Sequence, residues 1–414
     1  MSDFDILQTN ALLYTFTLVF VIITKKRISI GLILLGLFTF SSWMSVLLLN
    51  QSFFEHSIHN NHQHLDALLY LYAIVMICLS PLFRVSRAVE NGICFSNIRF
   101  LYYLIICVGS FQLLRFIIEL PLIYNIVTMN DYFLSDMREN VYVGSNSIFF
   151  KIPLLNRLYH LYSGIQPLSL GLSVVLFLTY KRNRKLIIFF MLTNLLAVVT
   201  NSIVDVSRGV IVETAIFIFL ILFYLRDYIN ARVKIFFIVV VLPSSIITAI
   251  FFWTVTISRF GEMAEYMMYK YPGEAMVNFS GILYHDLRNT TDGTAYLFSA
   301  FVRKFVSTEE KWQYIEKITH CPANIFYTFV GGLYMEFGKY ITIIIALIIN
   351  LIERHLINNR CNSFIIPLIF IIYFYSRGIF LFPLQSFLGV GLIFYTILLY
   401  YVFKSSNSTC KVQI

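Results

Sequence analysis

Eleven times along the chain an apolar run of bilayer-spanning length alternates with a polar connection, near residues 6–24, 28–50, 67–83, 100–122, 158–180, 186–204, 209–225, 235–254, 326–352, 363–381 and 387–403. An α-helix needs roughly 20 apolar residues to cross a hydrocarbon core, and only helices or closed barrels satisfy their own backbone there. Barrel strands would show apolar and polar residues in alternation, and these runs are unbroken. The fold class is therefore all-α: a polytopic integral membrane protein of about eleven transmembrane helices in a single membrane domain spanning 1–414. Composition agrees, since 58% of the 414 residues are hydrophobic and 13% charged, with a mean hydropathy of +0.76. A soluble enzyme of this length would have near a quarter of its residues charged.

Basic residues near helix ends stay in the cytoplasm, and here they occupy every second connection. Lys25-Lys26-Arg27, Arg84/Arg87/Arg99, Lys181/Arg182/Arg184/Lys185, Arg226/Arg232/Lys234, Arg354/Arg360 and Lys404/Lys411 hold more than half of the 31 Lys and Arg, whereas 51–66 has none. That alternation predicts an N-terminus outside and a C-terminus inside. The net charge of +9 then reflects topology and gives no reason to expect nucleic acid. The first run follows Asp3 and Asp5 with no basic segment or cleavage site, so it reads as a retained helix. Of the six cysteines only Cys321 falls in an external segment, and no disulfide framework is expected.

The connection 255–325, about 70 residues and external in this threading, is far longer than the others. Its length suits a lid or half of a binding site. Tyr271-Pro272-Gly273-Glu274 and Asn289-Thr290-Thr291-Asp292-Gly293 are expected to turn. Leu297, Phe298, Phe301, Val302 and Phe305 recur at helical spacing, which suggests a stretch in the membrane interface. Ser307 as N-cap with Glu310 at N3 predicts a second short amphipathic helix ending near His320.

Charged residues at membrane depth are costly and mark functional candidates. Arg115 and Glu119, four apart on one helix, either neutralise each other or free Arg115 to face an external cavity. Ser207-Arg208-Gly209 opens a helix, where a guanidinium beside free backbone N–H groups suits a phosphate or pyrophosphate. Ser376-Arg377-Gly378 repeats the tripeptide, so Arg208 and Arg377 form a candidate diphosphate clamp; for each the alternative is snorkelling to lipid head groups. His56, His59, His62 and His64 have metal-like spacing, yet no Cys joins them and Asn60-Asn61 marks a solvated turn, so no metal is expected. Walker, dinucleotide-binding and nucleophile-elbow motifs are absent from the sequence. Among the loop charges, mostly solvated surface, the general-base candidates are His320 and, in Phe329-Val330-Gly331-Gly332-Leu333-Tyr334-Met335-Glu336-Phe337-Gly338, Glu336. His320 is preferred, because imidazole already titrates near neutral pH whereas a carboxylate becomes an effective base only when buried. Asp286, Asp292 and Glu274 stand in reserve.

The threading, the late large loop, Ser207-Arg208-Gly209 entering a helix and Tyr334-Met335-Glu336-Phe337-Gly338 after the loop together resemble the Wzy-type oligosaccharide repeat-unit polymerases of O-antigen and capsule in bacterial inner membranes. The Arg-x10-Gly loop pattern of some members is absent. The resemblance implies a metal-independent glycosyltransferase without cofactors, acting on undecaprenyl-diphosphate-linked oligosaccharides at the periplasmic face. A chain-length regulator and a flippase of the same pathway are the implied partners. Arg208 and Arg377, assisted by Arg115 and Arg288, would hold the departing diphosphate, and His320 or Glu336 would take the acceptor proton. The alternatives are an O-antigen ligase and a flippase or transporter of lipid-linked oligosaccharide. A flippase would be expected to show internal pseudo-symmetry with loops of similar length.

Overall fold

A computed structural model describes residues 1–50, 62–88, 98–128, 147–180, 184–204, 209–231, 235, 257, 261–302, 307–359, 364–384 and 386–404. Among these residues the secondary structure is helical, with no strand. The main helices are α1 (Asp3–Lys25), α2 (Ile30–Leu49), α3 (Leu65–Leu79), α4 (Ile98–Thr128), α5 (Pro153–Ser163), α6 (Gln166–Thr179), α7 (Arg184–Val204), α8 (Gly209–Tyr224), α9 (Ala264–Asn278), α10 (Thr308–Thr319), α11 (Phe329–Asn358), α12 (Ile365–Gly378) and α13 (Ser386–Phe403). A 3-10 turn, Ser80–Arg84, prolongs α3. Among the described residues six segments are long and apolar enough to cross a membrane, or seven if the bent pair α5 and α6 counts as one. The protein is a helical membrane protein.

Ten of the eleven expected runs coincide with these helices, and the run 235–254 lies almost wholly outside the described residues. Three details differ from expectation. The run 158–180 is broken into α5 and α6, bent by 58°, each with a proline in its first turn, where proline starts a helix readily. Helices α8 and α12 and the apolar part of α13, Gly389–Phe403, are shorter than a full span. Tyr271–Glu274, expected to turn, lies inside α9. Packing overrides turn propensity there: a Cβ on Gly273 would stand 2.6 Å from the Met44 carbonyl carbon of α2, and the Pro272 carbonyl accepts a 2.5 Å hydrogen bond from Ser41. Only glycine permits so close a backbone approach.

The chain divides into two compact units. Unit 1 comprises Met1–Ser86, Glu262–Asn359 and Phe374–Phe387. Ser2 and Asp5 form a capping box that starts α1. At that end Asp3 accepts a 2.9 Å bond from the Gln63 amide, and the Thr17 and Tyr72 hydroxyls meet further along, 2.6 Å apart. Tyr70 donates to the Lys339 carbonyl at 2.7 Å, and Asn350 reaches Ser80 Oγ at 2.8 Å. Helices α1, α3 and α11 therefore run in one direction. Helix α2 runs the opposite way, with the Ile30 amide on the Val85 carbonyl at 2.8 Å. Large apolar side chains such as Phe16, Phe20, Ile23, Ile344 and Leu351 stay exposed on these helices, as expected of surfaces solvated by lipid.

Unit 2 comprises Arg87–Gly261, Arg360–Tyr373 and Leu388–Ile414. Within it α4 packs on α7 at Gly109, where a Cβ would stand 2.6 Å from the Phe190 ring. Small residues let membrane helices approach this closely.

Candidate functional site: a buried carboxylate under the large connection

Helix α11 begins at Thr328, whose side chain caps the Gly331 amide. Every residue from Phe329 to Glu336 is buried. The helix then breaks at Gly338, which has φ 72° and ψ −176°, a region essentially reserved for glycine. Glu336 thus ends a fully enclosed segment two residues before the break.

The connection 288–298 folds over this segment. The Thr291 amide donates to the Met335 carbonyl at 3.2 Å. Asp292 and Gly293 both have positive φ, 50° and 81°, as the Asn-Thr-Thr-Asp-Gly pattern led us to expect. Their turn returns the chain so that the Tyr296 amide donates to Glu336 Oε1. Glu336 Oε2 and the Thr291 hydroxyl are buried and make no well-aligned hydrogen bond among the described residues, while that hydroxyl and the Ala295 amide lie close enough to the carboxylate to act on it as weak donors. Lys311 of α10 places its ammonium 4.4 Å from the centroid of the Tyr296 ring. Burial pushes the Lys311 ammonium down to about 8, and the Glu336 charge opposes that shift. A carboxylate, a hydroxyl and an ammonium that holds its proton less tightly than an ordinary lysine therefore share one enclosure. That set can accept a proton and stabilise a developing negative charge.

His320 closes α10 in the left-handed region, φ 60°, and is exposed. The expected cap at the other end of α10 is present: Ser307 Oγ accepts from the Glu310 amide at 3.1 Å. The Arg288 amide donates to the Thr319 carbonyl at 3.2 Å, so Arg288 and His320 lie at the same end of α10. Arg288 is exposed. Arg377 sits in the last turn of α12, and Arg208 lies outside the described residues, as do Asp205 and Ser207. Asp286 and Asp292 are exposed. Glu274 is buried and accepts from Asn278 Nδ2 at 3.1 Å; burial raises its pKa above the usual carboxylate range.

Arg115 and Glu119, in unit 2, do not form the ion pair their spacing allowed. Glu119 accepts hydrogen bonds from Ser147 Oγ and from the amides of Ile148, at 3.2 Å, and Phe149, at 3.0 Å. The carboxylate thereby caps the 3-10 turn Phe149–Lys151. Arg115 is 1% exposed, its guanidinium carbon 5.9, 5.1 and 4.7 Å from the ring centroids of Phe149, Phe150 and Tyr159. Three rings supply the neutralising field that Glu119 was expected to give.

Lys311, Thr291 and Tyr296 are the members of the enclosure that sequence reasoning passed over. The signal for Lys311 was present: it leads the i, i+4, i+8 row Lys311, Ile315, Thr319, of which Ile315 and Thr319 are buried. A charge at the head of a buried row faces inward. No protein-family model, curated protein or solved structure matches this chain.

Proposed function

We propose that the protein is a glycosyltransferase of the bacterial inner membrane that polymerises undecaprenyl-diphosphate-linked oligosaccharide repeat units into O-antigen or capsular polysaccharide. The observation that carries this reading is the enclosure at Glu336: a buried carboxylate with one oxygen lacking a well-aligned donor among the described residues, roofed by the large connection and flanked by Lys311. In this reading the acceptor hydroxyl attacks the anomeric carbon of the donor glycan, the bond from that carbon to the diphosphate oxygen breaks, and the carrier diphosphate departs with its electron pair. Glu336 takes the hydroxyl proton. Its enclosure makes it a better base than exposed His320, which reverses the preference drawn from sequence. Lys311, Arg288 and Arg377 supply positive charge to the departing diphosphate, and no metal enters the transfer step; Arg115, buried among three rings, is not part of this set.

The eleven-helix threading with N-terminus periplasmic and C-terminus cytoplasmic belongs to the same proposal. It is supported by the common end of unit 1 that gathers Asp3, Gln63, His64 and Ser280, three stretches that the basic-residue pattern places on one side. The decisive experiment combines the purified protein in lipid with a synthetic undecaprenyl-diphosphate-linked repeat unit. A ladder of glycan lengths from a single lipid-linked substrate is the expected result. Transfer only when lipid A core is added as acceptor would make the protein a ligase. Movement of the substrate across the vesicle without bond formation would make it a flippase. Gene deletion gives the cellular counterpart: single repeats on the core for a polymerase, unattached polymer for a ligase, neither for a flippase.

A further inference from the structure

Independently of that reading, the start of α3 and the large connection bring together three side chains that the site does not use. His64 precedes α3 and Asp66 stands in its first turn, and His285 follows the π-helical segment Phe279–Leu283. The His64 and His285 rings lie 4.2 Å apart, centroid to centroid, and His285 Nε2 is 3.3 Å from Asp66 Oδ1. One ligating atom from each of the three falls within 4.8 Å of the other two.

Hydrogen bonds tie together the frame that carries these groups. The Ser280 hydroxyl accepts from the His64 amide at 2.8 Å and donates to the His64 carbonyl at 3.1 Å. The Tyr284 carbonyl accepts from the Tyr334 hydroxyl at 2.8 Å. A π-helical turn rotates the residues that follow it, and such turns recur at functional sites. Here that turn directly precedes Tyr284 and His285. An Asp66–His285 ion pair alone leaves the His64 ring, packed against His285, without a role.

We propose that His64, Asp66 and His285 bind a divalent transition cation of the Zn²⁺ type, which clips the start of α3 to the large connection. Two imidazoles and a carboxylate are a common donor set for such ions, leaving a fourth position for water. With bonds of about 2.0–2.1 Å, neighbouring donors of a tetrahedral site stand about 3.3 Å apart. The His285–Asp66 separation of 3.3 Å already has that value, and His64, half-buried, closes the set by side-chain rotation. The sequence offered only the run His56, His59, His62 and His64; His62 instead faces Asp3 at 3.5 Å, and the third ligand comes from 219 residues beyond Asp66. The clip is structural and adds no step to glycosyl transfer.

The test uses the full chain in detergent, stripped with a chelator, then given Zn²⁺ or Co²⁺ alone. One equivalent of Zn²⁺ should survive dialysis, Co²⁺ should give the visible bands of a four-coordinate ion, and Zn²⁺ should raise the melting temperature. His285→Ala and Asp66→Asn should each reduce retained Zn²⁺ at least tenfold, while His355→Ala should leave it unchanged. Failure of the wild-type chain to retain Zn²⁺ or to give Co²⁺ bands overturns the proposal without reference to any variant. So does stoichiometric binding that survives both ligand substitutions in folded protein, which would place the ion elsewhere. Neither result bears on polymerisation, which is assayed separately.

Discussion

Glu119 and Glu336 are both fully buried on long apolar helices, and their surroundings divide them sharply. Glu119 is saturated by three donors from one short turn. Glu336 is held by one amide through Oε1, and its Oε2 has no well-aligned donor among the described residues. A carboxylate with both oxygens engaged stabilises the chain that wraps it; one with an oxygen lacking a well-aligned donor beside a lysine has capacity left for chemistry. Burial of an acid in a membrane helix is thus a poor guide to function until its hydrogen bonds are counted.

The largest expected effect tests that division directly. Glu336→Gln should lower the rate of glycan extension by about 10²–10⁴-fold, the usual contribution of a general base, with the melting temperature in detergent nearly unchanged. Normal extension by this variant would move the search for the base to His320 and Glu274. Glu119→Ala should do the reverse. It removes the acceptor of two amides and of the Ser147 hydroxyl bond, costing about 3 kcal/mol, visible as a lowered melting temperature, while the protein that remains folded keeps its rate.

Between these lies Gly338, two residues beyond Glu336. Gly338→Ala forces a Cβ into a backbone region that disfavours it, and a Cβ there would stand 3.1 Å from the Thr290 side chain. A cost of about 1–3 kcal/mol is expected, together with a loss of rate, because Thr290 adjoins the turn that covers Glu336. Intact activity at lowered stability would separate the break from the site.

The smallest effect is a pH dependence carried by Lys311. Its pKa falls from 10.5 in the unfolded chain to about 8 when folded, so between those values the unfolded chain binds more protons. Stability from this group therefore rises as pH increases through about 8 to 10.5. Activity should move oppositely, declining above about pH 8 as the ammonium beside Glu336 loses its proton. Lys311→Met should flatten both trends. Unaltered pH profiles of melting and rate in that variant would remove Lys311 from the site.

Much of this molecule is legible in the amino-acid order. A span is a local property, since about 20 apolar residues must form their own backbone hydrogen bonds wherever they pack, and ten of the expected runs coincide with helices for that reason. Caps are local too: Ser307 begins α10 as its spacing to Glu310 implied. Asp292-Gly293 turns because both residues tolerate positive φ. Partnership is not local. Arg115 and Glu119 satisfy helical spacing for an ion pair, yet one found three rings and the other a turn beginning 28 residues away, because both offer better desolvated contacts than each other. Pro272-Gly273 reads as a turn and became helix, because α2 needed a glycine to approach. Lys311, Thr291 and Tyr296 came to Glu336, and His285 came to Asp66, through chain reversals that no periodicity encodes. The sequence by itself determined a helical membrane protein and roughly where most of its apolar helices lie; tertiary structure decided where 158–180 breaks, that 271–274 is helical, and which buried charges are satisfied, because those depend on groups brought from distant segments.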